Sequence, residues 1–191
     1  VSDKSKFFWP LNYLINANGS GLTMIVSDEY KVLNFHEEKF NYCNGWFSDA
    51  NDCLGSKGFQ HIQLEISGRR VDFYNTHLDA GNSEADISTR QKQVVHIIDY
   101  IKNHSDLHPI ILCGDLNINK IGSKEEKILD RLIEDLDLDI VDWSSENLYD
   151  KEVLDYILYR GFEINNNLFG INYNLLGLSD HPPISASFYI K

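Results

Sequence analysis

Long apolar runs are missing from this sequence, and basic residues are few. No run approaches the ~20 residues that a membrane-spanning helix needs, so we expect no transmembrane segment. Val1 begins no recognisable signal peptide, and the lack of an initial Met indicates a processed or cut start. Seventeen Lys and Arg face 29 Asp and Glu, a net charge of −12. That balance opposes nonspecific attraction to phosphate and makes nucleic acid a less favoured partner, without excluding a nuclease.

Cysteine is scarce too, at three residues. Cys43 and Cys53 flank a polar, glycine-containing loop, and a disulfide between them would staple it. That bridge would place the protein in an oxidising compartment, for example as a secreted protein, whereas two free thiols in a cytoplasmic loop are the alternative. A second pair of zinc ligands is lacking, so a zinc site is not expected. Cys113 follows an apolar run and is expected to pack as a small hydrophobe.

Length and composition suit one domain spanning residues 1–191, because 42% of the residues are hydrophobic and no linker or repeat divides them. Six short segments rich in β-branched or aromatic residues are bounded by Gly, Asn, Asp or Pro, a pattern typical of strands. They are 22–26, 59–66, 71–74, 110–112, 153–158 and 184–189. A hairpin turn is expected at 67–70.

Two amphipathic helices are predicted. The first begins near Ser83, which can form a capping box with Asp86, and the second opens with Ser123 and Glu126 in the same arrangement. Each has one apolar side suited to covering a sheet. Strands and helices in this mixture predict two packed sheets with helices outside them.

Four short polar strings are placed where apolar runs end. The ends of rigid strands hold loops open to solvent, which is where α/β enzymes place catalytic groups. The strings are Asn75-Thr76-His77, Gly114-Asp115-Leu116-Asn117, Leu154-Asp155-Tyr156 and Ser179-Asp180-His181-Pro182.

These strings, in this order, resemble the endonuclease/exonuclease/phosphatase superfamily, whose deoxyribonuclease I-like fold also occurs in neutral sphingomyelinases. The resemblance runs from about Gly21 to Lys191. It implies an α/β four-layer sandwich of two mixed β-sheets flanked by helices. It also implies phosphodiester hydrolysis that depends on Mg²⁺, or on another divalent cation such as Mn²⁺ or Ca²⁺.

The superfamily's opening segment has no counterpart before Gly21. That segment supplies an asparagine on a first strand and a metal-binding glutamate on a second. We therefore expect a fold that lacks its first strands. If the 191 residues are the whole functional chain, we expect activity reduced by orders of magnitude, because a hard cation loses a principal ligand.

His181 is the candidate general base, because an imidazole titrates near neutral pH and is held in one tautomer by a partner on its other nitrogen. The resemblance implies that Asp155 is that partner. It also implies that Asp180 lies at or near the metal.

Asp115 and Asn117 are two residues apart after a strand, so extended geometry would point both side chains the same way. By resemblance, Asp115 holds the metal or the attacking water, and Asn117 donates a hydrogen bond to a phosphoryl oxygen. The division between metal and leaving-group duties stays open. His77 would bind the phosphate in the transition state.

Two further strings resemble the secreted sphingomyelinase-like branch: the ten residues 72–81, and Asp52-Cys53-Leu54-Gly55-Ser56-Lys57-Gly58-Phe59. This branch implies a phospholipid head group at a membrane surface as substrate. Lys57 could neutralise a phosphate from the rim of the site, although a solvated surface lysine is the commoner interpretation.

Two alternatives stay open. One is a deoxyribonuclease-like endonuclease with the same catalytic residues, and the other is a truncated, non-catalytic module. We expect a monomer.

Overall fold

The computed structural model describes residues 21–45, 52–119, 125–142, 154–165, 170–171 and 181–191. These residues form ten strands and two α-helices. In chain order they are β1 (Lys31–Lys39), β2 (Gly58–Ile66), β3 (Arg69–His77), α1 (Glu84–His104), β4 (Ile110–Asp115), α2 (Glu126–Leu136), β5 (Asp139–Ile140), β6 (Asp155–Arg160), β7 (Phe162–Ile164), β8 (Gly170–Ile171), β9 (Ile184–Ser185) and β10 (Phe188–Ile190). Neither helix is both long and apolar enough to cross a bilayer.

Six strands form one mixed sheet in the order β1-β2-β3-β4-β6-β5. β3 and β4 are parallel, and the other neighbours are antiparallel. Helix α1 makes the crossover between the two parallel strands, since a parallel pair cannot be joined by a tight turn. The carboxyl ends of β3 and β4 therefore meet at one edge of the sheet.

The predicted hairpin between β2 and β3 is confirmed. Ser67 and Gly68 connect the strands, with φ angles of 52° and 75°. Positive φ at both central residues is typical of the two-residue turns that match the twist of antiparallel strands.

The predicted start of α1 is confirmed, and that of α2 is wrong. Ser83 and Asp86 form a complete capping box on α1. Helix α2 has Glu125 as its N-cap, without a side-chain cap hydrogen bond, so Glu126 is its first residue instead of the third residue of a box. The physical reason is a tertiary contact, because the Glu125 carboxylate forms an ion pair with the fully buried Arg90. Ser123 lies outside the described residues.

The two faces of the large sheet carry separate cores. Helices α1 and α2 cover one face, where Ile97, Leu112 and Leu129 are fully buried in a single cluster. On the other face, Val71 and Tyr159 pack with residues of the two-stranded sheets β7–β10 and β8–β9. The predicted α/β sandwich is thus confirmed, although in the described residues the smaller sheets are antiparallel instead of mixed.

Segment 22–26 is not a strand, contrary to the prediction. Its side chains alternate between half-buried and exposed positions, and Ile25 is 94% exposed. A strand also needs a ladder of backbone hydrogen bonds, and none is assigned to this segment in the described part of the chain. The side chain of Gln60 reaches it and donates from Nε2 to the carbonyl oxygen of Leu22.

Two other strand predictions need correction. Segment 184–189 is split into β9 and β10, which pair with different partners, because the chain passes from one small sheet to the other. Strand β1 was not predicted, since it is rich in charged residues and its register shifts between Val32 and Asn34, which breaks the alternation of apolar and polar residues.

Candidate catalytic site

Three polar side chains lie in one row across the sheet. His77 ends β3 and is paired with Asp115, the last residue of β4. Asp115 is in turn paired with Asp155, the first residue of β6. Because β6 runs antiparallel to β4, its beginning lies at the edge where β3 and β4 end. Residues that are far apart in the sequence therefore meet on neighbouring strands.

His181 joins this row from the segment just before β9. Its Nδ1 lies 2.6 Å from Asp155 Oδ2 and 3.9 Å from Asp115 Oδ2. His77 Nε2 lies 3.7 Å from the same Asp115 oxygen. All four side chains are half-buried, so the cluster is both held in place and open to solvent. The structure thus brings together His77, Asp115, Asp155 and His181, and Asp180 lies outside the described residues.

The loop after β4 departs from the extended geometry predicted for Asp115 and Asn117. Strand β4 ends at Asp115, and Asn117 has a φ of 50°, in the left-handed region. The backbone N–H of Asn117 donates to Asp115 Oδ1 at 2.8 Å, and its Nδ2 donates to the carbonyl oxygen of Leu78 at 3.0 Å. Asn117 is therefore beside the cluster because the loop turns back towards β3.

Gly114 permits the close approach of β4 to β3. Its φ is 135°, and a Cβ atom there would lie 1.9 Å from the carbonyl oxygen of Thr76. Only glycine accepts both conditions without displacement of the backbone. The glycine of the Gly-Asp-Leu-Asn string is thus needed to bring Asp115 beside His77.

Lys57 is not a solvated surface lysine, which was the commoner interpretation of the sequence. Its side chain is 11% exposed, and Nζ lies 2.6 Å from Asp52 Oδ1. The ammonium also donates to the carbonyl oxygen of Leu78 at 2.7 Å and lies 3.2 Å from His77 Nε2. Since a lysine ammonium can only donate, Nε2 of His77 is the acceptor and the ring proton is on Nδ1.

A disulfide supports this side of the site, and the structure pairs Cys43 with Cys53 as expected from the sequence. Asp52, next to Cys53, also accepts a hydrogen bond from the N–H of Ala80 at 2.6 Å. The N–H of Asn44, next to Cys43, donates to the fully buried Asp79. Sequence reasoning missed the structural roles of Asp52 and Asp79. The adjacency of Asp52 to Cys53 was the available signal.

Burial dominates the electrostatics of the cluster. Burial, followed by the charge of Lys57, lowers the pKa of His77, which favours the neutral ring. Burial, followed by the charge of Asp115, raises the pKa of Asp155, while the hydrogen bond with His181 opposes the shift. The pKa of Asp79 is raised to about 6 by burial and then by the charge of Asp52.

The cluster also has the composition of a metal site. Asp115, Asp155 and His181 each offer one ligand atom, and these atoms lie within 4.8 Å of one another. Hard divalent cations such as Mg²⁺ prefer carboxylate oxygens, and two carboxylates converge here. The donor set therefore fits a divalent cation, with Asp115 as the better available ligand because Asp155 is already bonded to His181.

The chain is thus an α/β protein in which one edge of a mixed sheet carries two carboxylates and two histidines. The model of endonuclease/exonuclease/phosphatase family 2 matches residues 16–139. The chain belongs to this family.

Curated relatives include sphingomyelinase C of Bacillus cereus, which is 33% identical over 79 residues. The aligned stretch covers 38% of this chain and 24% of that protein, so the match spans about a quarter of the relative's length.

Solved structures share the fold over most of the chain. Beta toxin of Staphylococcus aureus, in a doubly substituted form with bound magnesium ions, superposes with a TM-score of 0.58 at 23% identity, covering 85% of this chain and 66% of the toxin. Sphingomyelinase C of Streptomyces griseocarneus gives a TM-score of 0.54 at 20% identity, over 85% of this chain and 62% of the other. At these identities the likeness shows the fold alone.

Proposed function

We propose that this chain is a phosphodiester hydrolase of the sphingomyelinase C type that requires a divalent cation. The observation that carries the proposal is the hydrogen bond of 2.6 Å between His181 Nδ1 and Asp155 Oδ2, beside Asp115 and His77 at the same sheet edge. The named relative and the family membership support the choice of reaction.

His181 acts as the general base. Asp155 accepts a hydrogen bond from Nδ1–H, which leaves Nε2 of His181 unprotonated and able to take a proton from water. Asp155 also stabilises the imidazolium that forms when this proton is taken. The half-burial of both residues strengthens the pair relative to a fully solvated one.

His77 and Asn117 are the candidate donors to the phosphoryl group. With Lys57 bonded to Nε2, the neutral His77 ring offers Nδ1–H. The Asn117 amide lies beside Asp115 and is held by Leu78. Donors aimed at developing negative charge are the main electrostatic contribution in such reactions. Lys57 positions His77 in this proposal and does not contact the substrate.

Asp115, together with Asp180, would hold Mg²⁺, or Mn²⁺ or Ca²⁺ in its place. When bound, such a cation neutralises charge on the phosphoryl oxygens and lowers the pKa of coordinated water. The proposed substrate is a phospholipid with a phosphodiester head group at a membrane surface. We propose a secreted monomer with residues 1–191 in one domain, a location that the Cys43–Cys53 disulfide supports.

Release of phosphocholine from sphingomyelin vesicles tests this function. We expect release that depends on added Mg²⁺, stops with a chelator and is lost in His181→Gln. A matched control is His104→Gln, which changes an exposed histidine at the end of α1. Nicking of plasmid DNA without phosphocholine release would overturn the proposal, as would release that survives the His181 substitution.

A further inference from the structure

A groove between α1 and α2 lies outside the cluster at the sheet edge. The helices run in the same direction, because Arg90 of α1 pairs with Glu125 at the start of α2 and Lys102 pairs with Asp135 near its end. A surface cavity of about 440 Å³ lies between these two ion pairs. That volume is within the range of sites for small organic ligands.

The charged side chains that line the groove are all cationic. Lys92 extends from α1, and Lys127 and Arg131 extend from α2. Lys127 and Arg131 are four residues apart, and like charges at that spacing destabilise a helix. Lys127 is also in the first turn of α2, where the helix dipole disfavours a cation. The groove therefore concentrates positive charge, which a bound anion would offset.

Few carboxylates neutralise these cations. Arg131 forms an exposed ion pair with Asp135 at 3.3 Å. In the part of the chain that the structure describes, Lys92 and Lys127 have no ion-pair partner. The chain as a whole carries a net charge of −12. The groove is therefore a local positive site on an acidic protein, and an anionic ligand is complementary to it.

The base of the groove is apolar. Val95 and the buried Ile128 line it, and the ring of Tyr42 borders it, with Lys92 Nζ 5.4 Å from the ring centroid. A small hydrated anion would leave this apolar surface exposed to water. An anion joined to an apolar chain would cover it while its acidic group meets the three cations.

The groove is at the same end of the molecule as the catalytic cluster. Helix α1 begins at Glu84, seven residues after His77, and Lys92 is about two turns further along. Tyr42, at the groove, precedes Cys43, which forms a disulfide with Cys53. Asp52, next to Cys53, forms the ion pair with Lys57. The first turns of α1 therefore lead from the sheet edge that carries the cluster to the groove.

We propose that the groove binds the head group of an acidic membrane phospholipid. The phosphate contacts Lys92, Lys127 and Arg131, and the first carbons of the lipid chains cover Val95 and Ile128. The choice of a membrane lipid as the source of the anion rests on the proposed function, which places the substrate in the same surface. Binding here holds an acidic protein at a membrane that would otherwise repel it.

Vesicle sedimentation tests the site. The chain is mixed with vesicles of phosphatidylcholine alone, or of phosphatidylcholine with phosphatidic acid, at low salt. We expect binding to the acidic vesicles that salt weakens. The variant Lys92→Gln/Lys127→Gln/Arg131→Gln should bind about a hundredfold more weakly, since each cation near such a surface contributes about a fivefold factor.

A matched control removes three exposed cations that do not line the groove, as Lys31→Gln/Arg69→Gln/Lys191→Gln. This variant has the same net charge and should keep the wild-type affinity. Equal weakening in both variants, or binding unchanged in the groove variant, would overturn the proposal. Circular dichroism of each variant checks that the helices are retained.

The same vesicles, with sphingomyelin added to them, separate this inference from the proposed hydrolase activity. The variant Asp155→Asn should lose hydrolysis and still bind acidic vesicles. Binding that depends on the groove, without hydrolysis by the wild-type chain, would reject the proposed function and support the lipid site. Hydrolysis without groove-dependent binding would support the proposed function and reject the lipid site.

Discussion

The Nδ1 atom of His181 lies 2.6 Å from Oδ2 of Asp155, although the two residues are 26 positions apart in the sequence. Asp155 begins β6 and is held in the sheet by its pairing with Asp115. A rigid strand thus fixes the orientation of a histidine on an otherwise irregular segment. The consequences of this relationship can be measured.

Asp155→Asn should lower the rate of phosphodiester hydrolysis by ~100-fold or more, because the histidine loses the carboxylate that sets its tautomer. The free energy of unfolding should not fall, since burial and then the charge of Asp115 raise the pKa of Asp155 and disfavour its ionised form. Enzyme assays and urea denaturation measure the two effects. Asp130→Asn, on the exposed side of α2, is the matched control; a similar loss of rate in that variant would contradict the assignment.

Lys57→Met should raise the pKa of His77, because the lysine charge adds to burial in lowering it. NMR titration of the imidazole signals measures the change, and Lys39→Met, an exposed lysine on β1, should leave the titration unaltered. The variant should also lose about 3 kcal/mol of stability, because Asp52 remains buried without its partner. Recovery of that loss in Asp52→Asn/Lys57→Met would identify the unpaired carboxylate as its cause.

Asp79 makes stability depend on pH. Its pKa is raised to about 6 in the folded chain from 3.8, so the folded state binds the proton more tightly than the unfolded state. Its contribution to the free energy of unfolding is therefore greatest below about pH 4 and is lost as the pH rises to about 6, by at most about 3 kcal/mol. Asp79→Asn should remove this slope in denaturation curves from pH 4 to 8. An identical slope in wild type and variant would rule out Asp79 as its source.

Gly114→Ala should destabilise the fold by ~2 kcal/mol or more and separate Asp115 from His77. The added Cβ meets the backbone of Thr76, and alanine is strained at the observed φ of 135°. Thermal unfolding measures the loss. Gly55→Ala is the matched control, because the nearest atom to its Cβ would be at an ordinary 3.7 Å.

Opening the Cys43–Cys53 disulfide by Cys43→Ser/Cys53→Ser should cost roughly 3 kcal/mol, the chain-entropy value for a loop that closes over a sequence separation of 10. Denaturation with and without a reductant checks this value in the wild-type chain. The variant should show no effect of the reductant.

Cys113 should react slowly with thiol reagents in the folded state, because burial raises its pKa to about 11.

Local features were predictable from the sequence because neighbouring residues determine them. The Ser83–Asp86 capping box, the turn at Ser67 and Gly68, and the amphipathic faces of both helices depend on short-range hydrogen bonds and on periodicity. The pairing of Cys43 with Cys53 also follows from closeness in the sequence. The resemblance carried by four ordered strings extended the prediction to the fold.

Other features depend on which segments lie side by side, and local pattern does not contain that information. The side chains of segment 22–26 alternate in burial like those of a strand, but no ladder of backbone hydrogen bonds is found for it in the described residues. Strand β1 has such a ladder with β2, although its apolar and polar residues do not alternate. Lys57 seemed a surface lysine because the sequence does not show that Asp52 and the carbonyl oxygen of Leu78 surround it.

The sequence by itself determined which chemical groups are present, in which order, and at the ends of which apolar segments. The tertiary structure decided that β3, β4 and β6 are neighbours in one register, which brings His77, Asp115 and Asp155 into a row and His181 against it. The physical reason is that hydrogen bonds between strands and the burial of the two sheet faces join residues that are distant along the chain. Those contacts also set the burial and charge that shift the pKa values of His77 and Asp155.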